Sequence, residues 1–100
     1  MYKTIIQLEA AQDFKDAKRW YKKTKVIGLS QQFTNAVKIT IANLQKFPAA
    51  YAVRYKNIRI AHTYKFPYAI HFFIDEQQSL IVITAIVFAG RNPDLAKDRI

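Results

Sequence analysis

Hydrophobic and polar residues recur with two different periods along this chain. Near the N-terminus the short, β-branched segment 2–8 alternates roughly with a period of two and predicts a β-strand. From residue 10 to about residue 25 the apolar positions recur at helical spacing, which predicts an amphipathic helix. This apolar stripe consists of Ala10, Phe14, Ala17 and Tyr21, with Trp20 beside it.

A second helix is predicted between Gly28, which interrupts the first pattern, and Pro48. Ser30 is its predicted N-cap, because a serine hydroxyl can accept a hydrogen bond from a backbone N–H in the first turn. Its apolar side consists of Phe33, Ala36, Val37, Ile41 and Leu44. Two such helices joined by a short connection can cover one face of a small sheet. The residues that we expect in the core are Phe14, Trp20, Phe33, Val37, Leu44, Ile70 and Phe72.

After Pro48 the period changes to two, as in β-strands. Strands are predicted within residues 51–64, at 68–74 and at 80–89, with a polar turn before the last one. The predicted order is an N-terminal strand, a helical hairpin and then antiparallel strands of one small sheet, which is an α+β fold. No linker or repeat interrupts residues 1–100, so we expect a single domain.

The last predicted strand is apolar on both sides. An antiparallel sheet with one solvated face normally shows a cleaner alternation. Two interpretations stay open: the C-terminal tail covers the second face, or that face binds a partner. With strict alternation, one side carries Leu80, Val82, Ile86 and Phe88, and the other Ile81, Ile83, Ala85 and Val87.

Charge is the strongest feature of the composition. The chain has 16 Lys and Arg residues against 7 Asp and Glu, a net charge of +9 that favours anionic partners. There is no cysteine, which excludes disulfides and thiolate zinc sites and fits a reducing compartment such as the cytoplasm. Because the longest apolar run is too short for a membrane helix and no signal-peptide pattern is present, we expect no membrane partner and no export.

Basic residues are interleaved with tyrosines in the strand-rich half. Guanidinium groups can hold phosphates and tyrosine rings can stack on bases, but tyrosine is also an ordinary strand residue, so both interpretations stay open. A second basic cluster, residues 15–25, either binds phosphates or is a solvated helix face. The interleaved residues are Arg54, Lys56, Arg59, Lys65 and Arg91 with Tyr51, Tyr55, Tyr64 and Tyr68.

Histidine is the residue type whose unperturbed pKa is near neutrality, so His62 and His71 are the default candidates for a general acid or base. Neither has a carboxylate at a spacing that indicates an orienting pair, so a structural role is the alternative for each. Two histidines without a metal-binding motif, and the lack of a glycine-rich phosphate loop, predict neither a metal nor a cofactor.

Several short motifs in a fixed order cover nearly the whole chain. Each motif alone is weak evidence for a family, but the motifs are specific in this order. Through them the chain resembles toxins of the RelE/ParE superfamily, also called plasmid stabilisation proteins. The motifs are the segment 10–21, Gly28-Leu29, Phe33, Pro48, Ile58-Arg59, Phe66-Pro67-Tyr68-Ala69-Ile70 and Arg91-Asn92-Pro93.

The resemblance implies the toxin of a type II toxin–antitoxin system, which arrests growth and is held inactive in a hetero-oligomer with a cognate antitoxin. RelE-like members cleave messenger RNA on the ribosome, whereas ParE-like members poison DNA gyrase and need no nuclease chemistry. Arg59 and Arg91 match basic positions of the family signature, and Tyr68 matches its Phe-Pro-Tyr element. These three and His71 are the candidate catalytic residues, and Arg54, Lys56 and Lys65 are candidate target-binding residues.

The chain also departs from the nuclease members of the superfamily. Many of them have a histidine just before the segment that contains Arg91, where this chain has Phe88. The tail 94–100 lacks the tyrosine that some of them carry. We therefore favour DNA gyrase as the target, with messenger RNA cleavage as the alternative and an inactive protein-binding domain as a third hypothesis.

Overall fold

The computed structural model describes residues 2–90, which form two α-helices and five β-strands. A single 3₁₀ turn at Pro48–Ala50 follows the second helix. The elements confirm the predicted α+β fold, with the helical hairpin placed between the first strand and the others. In chain order they are β1 (Lys3–Ile6), α1 (Leu8–Lys22), α2 (Leu29–Lys46), β2 (Val53–Tyr55), β3 (Ile58–His62), β4 (Tyr68–Asp75) and β5 (Leu80–Phe88).

The strands form one sheet in the order β1-β5-β4-β3-β2. Strands β2 to β5 pair antiparallel with their neighbours, as predicted, because short turns connect them in sequence. Strand β1 instead lies parallel to β5, with Lys3 paired to Leu80 and Ile6 to Ile83. The sheet is therefore mixed, and the N-terminal strand closes the edge that β5 would otherwise expose.

The start of α2 differs from the prediction. Gly28 is the N-cap, with a backbone φ of 80° that glycine adopts without steric cost. The predicted N-cap, Ser30, lies inside the helix, and its hydroxyl donates to the carbonyl of Lys18 at 3.3 Å. The serine thus connects the two helices of the hairpin rather than capping one of them.

The core lies between the helical hairpin and one face of the sheet, which we call the helix face. Phe14 is half-buried against it, and its ring centroid is 5.9 Å from that of Phe33. The prediction that Trp20 belongs to the core is wrong, since 62% of it is exposed. An α-helix turns by about 100° per residue, so the inward position belongs to the adjacent Tyr21. The other predicted core residues are buried: Phe33, Val37, Leu44, Ile70 and Phe72.

Strand β5 contains a β-bulge that corrects the strict alternation expected for it. Phe72 of β4 pairs with Ile83 and the preceding His71 pairs with Ala85, so Thr84 is an additional residue in β5. Beyond this point the side chains change faces: Ile81, Ile83 and Ile86 join the core under the helices, while Ala85 and Val87 form a separate cluster. One extra residue thus moves Ile86 to the helix face.

The face of the sheet opposite the helices, here called the second face, is also apolar. Ala85 and Val87 are buried there, and His71 lies on the same face because it pairs with Ala85. The tail proposed to cover this face, residues 91–100, lies outside the described residues.

Truncation of Phe33 tests the packing of the hairpin. Its ring centroid lies 5.0 Å from those of Tyr21 and Tyr68 and 5.3 Å from that of Phe66, so Phe33→Ala leaves a cavity among aromatic rings. We expect the free energy of unfolding to fall by about 3–5 kcal/mol in denaturant titrations. The control is Ile39→Ala on the same helix, where the side chain is 59% exposed. Equal effects of the two substitutions would contradict this packing.

Candidate functional site

Arg59 lies in β3 on the helix face, where it pairs with the buried Phe72. Its side chain is half-buried, and Nη1 donates to the carbonyl oxygens of Tyr51 at 2.6 Å and Ala49 at 3.4 Å. A guanidinium bonded to two carbonyls holds the turn after α2 against the sheet. The structure therefore gives Arg59 an architectural contact, and its role in toxicity stays a prediction.

His71 lies in β4 on the second face and is 3% exposed. Its Nδ1 is 2.7 Å from the hydroxyl oxygen of Tyr55, and which atom donates depends on the ring tautomer. The two ring centroids are 5.7 Å apart. The pair connects β2 to β4 across β3, and burial of the imidazole restricts the access of a large substrate to it.

Tyr68 begins β4 and packs into an aromatic cluster on the helix face. Its ring centroid lies 5.0 Å from that of Phe33 and 6.1 Å from those of Tyr21 and Phe88. Burial raises the pKa of Tyr21, and the nearby Tyr68 raises it further. The phenol of Tyr21 thus favours its neutral form, as expected for a buried group.

The sheet separates these candidate catalytic side chains. His71 lies on the second face, whereas Arg59 and Tyr68 belong to the helix face. Arg59 is opposite Phe72, four residues from Tyr68 along β4, which is about 13 Å of extended strand. Arg91, the fourth candidate, lies outside the described residues.

The candidate target-binding residues are exposed, but they do not form one patch. Arg54 is in β2 and Lys56 in the adjoining turn, where its backbone φ is 47°. Lys65 lies in the turn between β3 and β4, at the other end of β3, with Nζ 5.5 Å from the ring centroid of Tyr64. A phosphate-bearing ligand would have to extend along β3 to contact all three.

Sequence reasoning missed the role of Asp13. Its Oδ2 accepts a hydrogen bond of 3.1 Å from the backbone N–H of Ile86, close to the bulge where the β5 ladder is interrupted. The sequence feature that could have revealed this role is a carboxylate on the inward side of α1, between the buried Ala10 and Ala17. This bond connects the first helix to the last described strand.

The described residues 2–90 contain no cluster of three or more metal-ligating side chains. None of the helices among them is both long and apolar enough to span a bilayer.

Loss of the Arg59 contacts has a measurable consequence. Arg59→Ala leaves the carbonyls of Tyr51 and Ala49 without this donor, and we expect the free energy of unfolding to fall by about 1.5–3 kcal/mol in urea. The matched control is Arg54→Ala on the neighbouring strand, which removes an exposed guanidinium and costs at most about 0.5 kcal/mol. An unchanged midpoint for Arg59→Ala would show that its contacts are dispensable.

Three solved structures with a similar fold come from toxin–antitoxin systems. A chain of the chromosomal ParDE system of P. aeruginosa superposes with a TM-score of 0.72 at 17% identity, covering 86% of this chain and 94% of its own. A chain of the intact E. coli RelBE toxin–antitoxin complex superposes with a TM-score of 0.63 at 12% identity, covering 91% of this chain and 100% of its own. The isolated E. coli RelE toxin also superposes with a TM-score of 0.63, at 11% identity, covering 98% of this chain and 95% of its own.

Sequence comparison gives the family. No curated protein matches the chain significantly. The model of the family described as the ParE toxin of the type II toxin–antitoxin system parDE matches residues 5–93. Because that match spans most of the sequence, the chain belongs to the ParE toxin family of type II toxin–antitoxin systems.

Proposed function

We propose that this toxin arrests bacterial growth by binding and inhibiting DNA gyrase rather than by cleaving RNA. The observation that carries the proposal is the separation of the candidate catalytic groups: His71 is buried on the second face, while Arg59 and Tyr68 are on the helix face. Cleavage needs an acid or base and a phosphate-binding group within hydrogen-bond reach of the same substrate. Inhibition by binding requires no such convergence.

The end of β5 supports the same conclusion. By the resemblance, Phe88 stands where many nuclease members of the superfamily have a histidine, and it is 49% exposed. Its ring packs edge-on against Tyr68, with centroids 6.1 Å apart at an angle of 80°. A phenyl ring cannot transfer a proton, whereas an exposed aromatic side chain suits a protein interface.

We also propose that an antitoxin encoded beside the toxin is its partner. Similar folds occur in the ParDE and RelBE systems. The net charge of +9 favours an acidic antitoxin, and the apolar second face favours an amphipathic helix or an added strand as the docking segment.

Parallel assays separate the two targets. The purified toxin is expected to inhibit plasmid supercoiling by DNA gyrase and to leave messenger RNA intact in a ribosome-dependent translation reaction. The cognate antitoxin, added in excess, is the control and should restore supercoiling. Codon-associated cleavage of messenger RNA without gyrase inhibition would reverse the proposal in favour of the nuclease alternative. Inactivity in both assays, together with normal growth on expression, would favour an inactive binding domain.

Toxicity is expected to depend on the two arginines of the family signature more than on the lysines of α1. Arg59→Ala and Arg91→Ala should each reduce growth arrest on induced expression, with Lys22→Ala as the matched control. Arg91→Lys should already impair toxicity, because lysine does not reproduce the planar fork of a guanidinium. Melting curves of the same proteins distinguish a lost target contact from a lost fold. Full toxicity of both alanine variants would exclude these positions from the site.

The docking surface of the antitoxin can be tested on the second face. Ile60 lies there, opposite His71, and Ile60→Asp places a charge on the apolar surface. We expect this variant to escape neutralisation when the antitoxin is co-expressed, because a buried carboxylate without a partner is costly. Ile39→Asp, on the exposed side of α2, is the control and should still be neutralised. Equal neutralisation of both variants would move the interface elsewhere.

A further inference from the structure

A cleft of about 530 Å³ lies between α1 and the sheet, beside the start of β4 and the end of β5. It is on the helix face, on the opposite side of the sheet from the Tyr55–His71 pair. Four aromatic side chains line it, together with two carboxylates. These six residues are Trp20, Tyr21, Tyr68, Phe88, Asp13 and Asp16.

The aromatic rings form a continuous series around the cleft. Trp20 meets Tyr21 at 5.2 Å and 88°, and Tyr68 meets Phe88 at 6.1 Å and 80°. Tyr21 and Tyr68 complete the series at 6.1 Å and 59°. Rings at steep angles to one another present faces in several directions, as in sites that surround a cationic group.

Two of these rings are open to solvent. Trp20 is 62% exposed and Phe88 is 49% exposed, although both line the same concavity. Single exposed apolar residues are common on protein surfaces and need no explanation. Two large exposed rings in one cleft, backed by the two tyrosines, form a preorganised apolar surface of the kind that binds ligands.

The carboxylates give the cleft a local charge opposite to that of the whole protein. Asp13 is held by the N–H of Ile86, which fixes its position at the inner wall. Asp16 is 58% exposed; it accepts a hydrogen bond from Gln12 at 2.8 Å and has an ion pair with Arg19 at 3.6 Å. Both partners of that ion pair are exposed, so the pair contributes little and can be exchanged for another cation at small cost.

We propose that this cleft binds an arginine side chain of a partner polypeptide. A guanidinium can stack on the rings of Trp20 and Phe88 while its N–H groups donate to Asp16. An anionic group is disfavoured by the carboxylates and by the negative faces of the rings, and a neutral aliphatic group has no N–H to donate to Asp16. Such a recognition site is independent of whether gyrase or messenger RNA is the target.

Tryptophan fluorescence gives a direct test, because Trp20 is the single tryptophan of the chain. The probe is N-acetyl-arginine methylamide, and the matched probe is N-acetyl-citrulline methylamide, which has nearly the same shape without the charge. At low salt the arginine probe is expected to bind at least about tenfold more tightly than the citrulline probe. Equal affinity of the two probes, or no fluorescence change up to the solubility limit, would overturn the proposal.

Variants locate the binding in the cleft. Asp16→Asn and Phe88→Leu are each expected to weaken binding of the arginine probe by about twofold to fivefold. Glu76→Gln removes one negative charge at the opposite end of β4 and should leave the affinity unchanged. If Glu76→Gln weakens binding as much as Asp16→Asn does, the probe responds to overall charge and the site is rejected. Thermal melting of each variant confirms that a folded protein is compared.

Discussion

The burial of the helical hairpin against β5 depends on one additional residue in that strand. Side chains of a regular strand alternate strictly between two faces, and an uninterrupted β5 would place Ile86 away from the helices that cover Ile81 and Ile83. The bulge at Thr84 shifts the register by one residue and returns Ile86 to the core. The carboxylate of Asp13 bonds to the N–H of Ile86 and so ties the first helix to the strand just beyond the bulge.

The same division into two faces governs the functional proposals. The backbone of the sheet lies between its two faces. Side chains on opposite faces therefore cannot contact the same small chemical group. Arg59 supports the turn after α2 on the helix face, and His71 is bonded to Tyr55 on the second face. This separation is the physical reason for preferring a toxin that acts by binding. The same separation leaves two distinct surfaces on one small domain, which is consistent with the proposal of separate antitoxin and target contacts.

Electrostatics adds a local contrast to this arrangement. The chain carries a net charge of +9, which attracts acidic partners over a range set by ionic strength. The cleft beside Trp20 is a local exception, since Asp13 and Asp16 stand next to aromatic rings there. The positive charge of the protein can attract an acidic polypeptide, while the cleft beside Trp20 can bind one basic side chain of the same polypeptide.

The sequence by itself determined the order of elements, the apolar stripes of both helices, the positive charge and the family resemblance. These properties are local or additive: a helical stripe depends on residues within a few turns, and charge is a sum. Only the tertiary structure decided the parallel pairing of β1, the bulge at Thr84, the exposure of Trp20 and the partners of Arg59 and His71. Strand register and side-chain contacts depend on residues distant in sequence, and a period-two pattern assumes a constant register that one inserted residue breaks.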